Sequence, residues 1–158
     1  MAVKPTYSVD SSALIHAWRR AYRPQNFQFV WNGFDALIDE GRLRASMEVY
    51  LELEKKDDEL FAWCKERKDK LFVEIDDDVQ QSVAEIMKDH PRLVDTAKGR
   101  SAADPFVIAL AETNDPPMIV LTEEKPGKVK IPDVCDARSV MWKNLADMIE
   151  AEDWKSGA

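Results

Sequence analysis

Glycine, cysteine and histidine are all scarce in this chain of 158 residues, which has five, two and two of them. The glycines, at positions 33, 41, 99, 127 and 157, cannot assemble a GxGxxG turn or a P-loop. Cys64 and Cys135 are far apart and have no neighbouring Cys or His at ligand spacing, so a structural zinc site is excluded. Both read as buried free thiols, since free cysteine packs as a small hydrophobe. Ser12 and His16 are spaced to share a helix face, but no GxSxG elbow surrounds the serine, and nucleophilic serine catalysis is set aside. No apolar run approaches the roughly 18 residues of a membrane span. The opening MAVKPTYSVD lacks the long apolar stretch of a secretory signal, so a soluble cytoplasmic protein with no membrane contact is expected. Excess positive charge is lacking too: 30 acidic residues against 22 basic ones leave a net charge of −8. That argues against holding duplex DNA by broad phosphate neutralisation, and suits an acidic surface or a cation-binding pocket.

Apolar residues are plentiful, at 45%, enough for the core of one domain covering residues 1–158. Residues 6–10 read as a short strand, and Ser11 and Ser12 then open a helix through Ala21. A second amphipathic helix carries Phe29, Val30, Phe34, Leu37 and Ile38, with Gly41 at its C′ position. Leu43 to Ala45 is a very short strand. Helices follow over about 46–55 and up to Lys68, and then a strand over Leu71 to Ile75. Asp76-Asp77-Asp78 opens a helix running to His90, where acidic residues complement the dipole. Asp104-Pro105 starts a helix through Glu112, with Asp104 as N-cap and proline at N1. Met118 to Thr122 is a continuous apolar run, the mark of a strand buried on both faces. Ser139 to Trp142 reads as a last strand before a helix over 144–152. This alternation predicts an α/β fold, a three-layer α/β/α sandwich around a mainly parallel sheet. Of the tryptophans at 18, 31, 63, 142 and 154, four lie in helical or strand patterns with apolar neighbours, so core packing is expected.

In open parallel sheets, ligands bind beyond the carboxyl ends of the strands. Asp10 ends the first strand, Thr122-Glu123-Glu124 ends the most buried one, Asp104 begins the helix leading into it, and Glu52 lies in a helix between the early strands. Converging carboxylates repel one another and hold protons unless a hard cation lies among them. Magnesium or manganese suits such a set, and phosphodiester hydrolysis is the natural reaction. Each residue also has a plainer reading: Asp10 and Asp104 as helix caps, Glu52 on a solvated face, Glu123 and Glu124 in a charged loop. Arg19, Arg20 and Arg23, then Lys98 and Arg100, then Lys125, Lys128 and Lys130 would form a basic rim suited to single-stranded nucleic acid.

These stretches resemble the motifs of the PIN domain superfamily. Tyr7-Ser-Val-Asp10-Ser-Ser12 is similar to its opening strand and aspartate. Val49-Tyr-Leu-Glu52-Leu53 resembles the helix carrying its glutamate. Ala103-Asp104-Pro-Phe-Val-Ile-Ala-Leu-Ala111 and Ile119-Val-Leu-Thr122-Glu-Glu124 resemble its third and fourth acidic motifs. Tyr22-Arg-Pro, Asp58-Glu-Leu-Phe-Ala-Trp63, Lys98-Gly-Arg-Ser-Ala-Ala-Asp104 and Lys130-Ile-Pro-Asp-Val-Cys135 resemble a PIN-like bacterial and archaeal family of unknown function. The resemblance implies Asp10, Glu52, Asp104 and Glu124 as catalytic and metal-holding carboxylates, with Ser12 orienting the pocket. It implies Mg2+- or Mn2+-dependent endoribonuclease activity on single-stranded RNA, as in VapC-type toxins, with an antitoxin protein as partner and a possible homodimer. The fourth motif departs from the usual Thr-x-Asp by carrying Thr-Glu-Glu, which leaves Glu123 and Glu124 as alternatives. A catalytically weak or inactive PIN-fold module that binds RNA or a protein is the second reading, and a nuclease acting on DNA flaps the third.

Overall fold

The computed structural model describes residues 3–94 and 102–157. Five strands form one sheet in the order β3-β2-β1-β4-β5, and every neighbouring pair is parallel. They are β1 (Tyr7–Val9), β2 (Leu43–Ser46), β3 (Phe72–Val73), β4 (Ile119–Leu121) and β5 (Trp142–Lys143). The helices are α1 (Ser11–His16), α2 (Gln28–Asp39), α3 (Met47–Glu54), α4 (Glu59–Glu66), α5 (Lys68–Leu71), α6 (Asp77–Asp89), α7 (Asp104–Thr113), α8 (Ile131–Ala137) and α9 (Leu145–Ala151). A π-helical segment, Ala17–Ala21, continues α1 and closes with the Tyr22 N–H on the Ala17 carbonyl. This is the expected α/β/α sandwich.

Alternation along β1 decides which helix lies on which face. Ser8 is fully buried and donates from its Oγ to the Val107 carbonyl of α7 at 2.8 Å. Tyr7 points the other way, and its hydroxyl donates to Glu152, just past α9, at 2.7 Å. The side chain of Trp154 lies against Gly33 of α2 and packs edge-on to Phe34, so α2 and α9 share that second face. Trp31 meets Trp18 and Trp63 edge-on, at 5.0 Å from each. All five tryptophans pack into or against the core.

Local chemistry explains most element ends. Gly41, at φ +73°, ends α2 in a Schellman motif: its N–H bonds the Ile38 carbonyl, and the Arg42 N–H bonds that of Leu37. Asp58 and Asp76 cap α4 and α6 by accepting from the Phe61 and Val79 N–H groups at 3.0 and 2.9 Å.

Several sequence expectations need correction. The strand expected over Leu71 to Ile75 shrinks to Phe72–Val73, because Lys68–Leu71 winds into a helical turn. The last strand starts at Trp142, since Ser139 has a left-handed φ of +59° and the chain turns there. Helix α8 was not anticipated. Asp104 is the first helical residue rather than the N-cap; Ala103 holds the cap position and Pro105 the second turn position.

The strand order places a topological switch at β1. The chain steps from β1 out to β2 and β3, then returns through α6 and α7 to add β4 on the opposite side. The carboxyl ends of β1 and β4 therefore border the crevice where ligands bind in such sheets.

Candidate active site

Val9 pairs with Leu121, so the residues that leave these two strands, Asp10 and Thr122, meet at the switch point. The Asp10 N–H donates to the Leu121 carbonyl at 2.9 Å, which continues the ladder and fixes the start of the crevice. Asp10 holds the N-cap position of α1 but makes no side-chain capping bond. Its carboxylate is turned into the crevice instead, where Oδ2 accepts from Ser12 Oγ at 2.6 Å and from Thr122 Oγ1 at 3.0 Å. The capping reading of Asp10 gives way to a buried, hydroxyl-held carboxylate.

The remaining acids come from three directions. Glu52 is half-buried on α3 and accepts from Ser11 Oγ at 2.6 Å, a bond that crosses from α1 and removes it from a solvated face. Asp104 is buried in the first turn of α7, one residue inside the Ala103 cap. Glu124 Oε2 accepts from the Ile131 N–H of α8 at 3.2 Å.

Electrostatics ties the four together. Burial pushes the Asp10 carboxyl up from its ordinary 3.8 to about 6, with the charges of Glu124 and Glu52 adding to the rise and the Ser12 and Thr122 hydroxyls opposing it. Burial also drives Asp104 strongly upward, reinforced by Asp10, Glu124 and Glu52 and opposed by Lys130. Such mutual repulsion in a buried site is what a hard divalent cation would relieve. As placed, however, no three His, Cys, Asp or Glu side chains among the described residues stand close enough to hold one ion. Like Asp10, two more of the four carboxylates accept from protein donors: Glu52 from Ser11, and Glu124 from the α8 backbone.

The two glutamates after Thr122 point differently. Glu123 sits 3.6 Å from His16 Nε2, and its N–H donates to Ser12 Oγ at 3.2 Å. Glu124, not Glu123, is the one whose charge acts on Asp10 and Asp104. Of the expected nucleic-acid contacts, Arg19 is paired with Asp58 at 2.7 Å, and Arg23 donates to the Arg19 carbonyl at 3.0 Å. Lys125 is exposed on the loop beyond Glu124. Lys98 and Arg100 lie outside the described residues.

Two participants escaped the sequence reading of the site. Thr122 was legible only as part of a motif, without its bond to Asp10. Lys130, expected only as part of the basic rim, is a cation whose charge opposes the rise at Asp104. Asp133 pins its loop by accepting from the Gly127 and Lys130 N–H groups, both at 2.9 Å.

Other groups offer less chemistry. Burial pushes the thiols of Cys64 and Cys135 up to about 12, so neither is a nucleophile near neutral pH. A hollow of about 940 Å³ lies at the opposite end of β4, between α6, α7 and residues 138–141. Its charged wall is internally matched: Arg138 donates to both Glu112 oxygens, at 3.0 and 2.7 Å, and Ser82 donates to the same carboxylate. The mutual repulsion of buried carboxylates, by contrast, lies at the switch point.

Among curated proteins no match to the chain is found. A family model matches residues 7–156, a span that takes in every member of the cluster from Asp10 to Lys130, and the chain thus belongs to the family described as a domain of unknown function, DUF4411.

Proposed function

We propose that this chain is a metal-dependent endoribonuclease of PIN type that cleaves single-stranded RNA in the cytoplasm, acting as the toxin of a toxin–antitoxin pair. The observation that carries the reading is Asp10: a buried carboxylate at the switch point, held by two hydroxyls and surrounded by the charges of Glu52, Asp104 and Glu124. Among the described residues, Lys130 is the cation whose charge is felt by this group of four acids, an imbalance unlike that of a structural ion pair.

The residues fit Mg2+ or Mn2+ by donor chemistry, being oxygen donors in a partly closed crevice. Asp10, Asp104, Glu52 and Glu124 are the side chains that would hold the ion, the last two on leaving their present hydrogen-bond partners. When bound, such an ion supplies a water of lowered pKa and charge stabilisation for the departing oxygen. Ser12 and Thr122 keep Asp10 Oδ2 in one orientation, so that Asp10 itself needs no reorganisation. Lys130 brings a positive charge toward the phosphate, and Arg19, Arg23 and Lys125 are the basic groups available to the strand on either side, with Lys98 and Arg100 proposed for the same role. The net charge of −8 favours a basic antitoxin as the partner that covers the crevice, and a homodimer is the assembly we propose.

Asp104→Asn is expected to abolish cleavage of single-stranded RNA in Mg2+ or Mn2+, and growth arrest on expression, while leaving the circular dichroism spectrum unchanged. Undiminished cleavage would sink the assignment. One observation favours a second reading, a catalytically inactive module of the same fold that binds RNA or a protein: no three acids stand placed for one ion among the described residues. Calorimetric titration separates the two readings, because the inactive module binds no Mg2+ or Mn2+ at millimolar concentration.

A further inference from the structure

Arginines that withdraw from solvent in this chain find acids, with one exception. Arg42 donates to Glu152, Arg67 to both oxygens of Asp35, and Arg138 to both oxygens of Glu112. Arg44, on β2, is shielded as well, in a chain with 30 acidic residues, yet it is joined to none of them. Its Nε is buried and is the one buried side-chain nitrogen or oxygen among the described residues without a protein partner. A buried donor on a cation keeps its full desolvation penalty until an acceptor meets it.

The strand register places this side chain. Arg44 pairs with Ser8, which faces α7, and Val73 pairs with Ser46, two residues further along β2. Arg44 and Val73 therefore share the α7 face of the sheet. On that face a cavity of about 120 Å³ lies beside the last turn of α7, lined by Arg44, Val73, Leu110 and Met118. Half-buried Thr6 and exposed Asn114 complete it, so it reaches the surface. Thr6 and Met118 directly precede β1 and β4, which puts the cavity at the amino end of the sheet, away from Asp10.

An unpaired guanidinium on a cavity wall calls for an anion, because its Nε and one terminal nitrogen form a fork that matches two oxygens of a carboxylate or a phosphate. Three features select among such anions. The space equals the share of roughly four water molecules in the liquid, so the occupant is small. Val73, Leu110 and Met118 offer no donors to the further oxygens of a phosphate, but they suit a short alkyl tail. The last turn of α7 carries the partial negative charge of a helix C-terminus, which tolerates one anionic charge better than two.

We propose that Arg44 anchors a binding site for a small monocarboxylate, with the guanidinium fork on the carboxylate and a short alkyl tail against Val73, Leu110 and Met118. The site stands apart from the acidic crevice and does not depend on the nuclease reading.

The test titrates the full chain with sodium propionate, with propionamide (the same shape without the charge) and with sodium phosphate. Binding is followed by calorimetry and by the NMR signal of the Arg44 Nε–H group. Propionate should saturate one site at millimolar concentration or below, within reach of a ligand of so few atoms, and should move the Arg44 signal. Propionamide and phosphate should each bind at least tenfold more weakly. Arg44→Met, which keeps an apolar stem and removes the fork, should weaken propionate binding at least tenfold. Arg44→Lys, which keeps the charge without the fork, should fall nearly as far. The ranking of the three probes on the parent chain needs no variant, so a variant that fails to fold leaves the test intact. Absence of saturable propionate binding overturns the proposal, as does an Arg44 signal that stays in place at saturation. Propionamide or phosphate binding as tightly as propionate overturns it too, and so does undiminished propionate binding by folded Arg44→Met.

Discussion

Replacing Asp104 by asparagine should stabilise the metal-free protein, by an amount that grows with pH. Asp104 is 5% exposed and shares its crevice with Asp10, Glu52 and Glu124. Its folded carboxyl holds its proton far above the ordinary value of 3.8, because burial and three neighbouring charges disfavour the anion. A folded pKa raised in this way leaves stability intact below about pH 4, where neither state is ionised. Above that, the unfolded chain releases the proton while the folded chain retains it, and stability falls by about 1.4 kcal/mol per pH unit until the folded group ionises. By about pH 6 this side chain alone has removed roughly 3 kcal/mol, and the asparagine variant lacks that loss. For a domain of this size the difference corresponds to a melting temperature about 6–12 °C higher than the parent's. Thermal melts of both proteins in chelator, taken at intervals from about pH 4 to 8, should converge at the acid end and diverge steadily above it. Millimolar Mg2+ or Mn2+ should then raise the parent toward the variant, since an ion that binds only the folded state stabilises it by mass action. Parallel melting curves across that range, or a variant less stable than the parent at about pH 6, would refute the reasoning.

Other outcomes follow from the packing. Arg138→Met should destabilise the fold by about 2–4 kcal/mol in denaturant unfolding, because Glu112, which accepts two bonds from Arg138, is left half-buried and uncompensated. Gly33→Ala should cost roughly 1–3 kcal/mol, since a Cβ there would lie 2.5 Å from the Trp154 indole; loss of the tryptophan's fluorescence shift on folding would report its displacement. Thr122→Val removes one of the two hydroxyls on Asp10 Oδ2 at nearly constant volume. RNA cleavage should fall by about tenfold, as expected for one buried hydrogen bond to a charged group, with Mn2+ affinity by calorimetry weakened in step.

Much of the fold was legible because its strongest signals are apolar. The run Met118 to Thr122 has one physical explanation, burial on both faces, and it became the strand that pairs with β1. The amphipathic stripe of α2 and its Gly41 terminus were equally plain. Short elements were not: β3 has two residues, and the seven residues of α8 include a proline at the first turn, so neither carries a readable period. In the candidate site, Asp10 and Asp104 stood out at element ends, but their side-chain directions did not. Whether an aspartate after a strand caps a helix or faces a crevice depends on Thr122, a residue 112 positions away. Glu52 looked like part of a charged helix face, because the serine that receives it belongs to another helix. Glu123 and Glu124 are chemically identical in sequence, and only His16 on one side and Ile131 on the other separate their roles.

The central place of β1 sets when this protein can act. Its first carboxylate emerges near the start of synthesis, but the hydroxyl that orients it arrives only with Thr122, after the chain has gone out to β3 and come back. Pairings so distant in sequence close late in folding. A nascent chain still short of β4 therefore displays the aspartate without the crevice, and the ribonuclease activity proposed above would stay harmless to the message and ribosome producing the chain until the sheet closes.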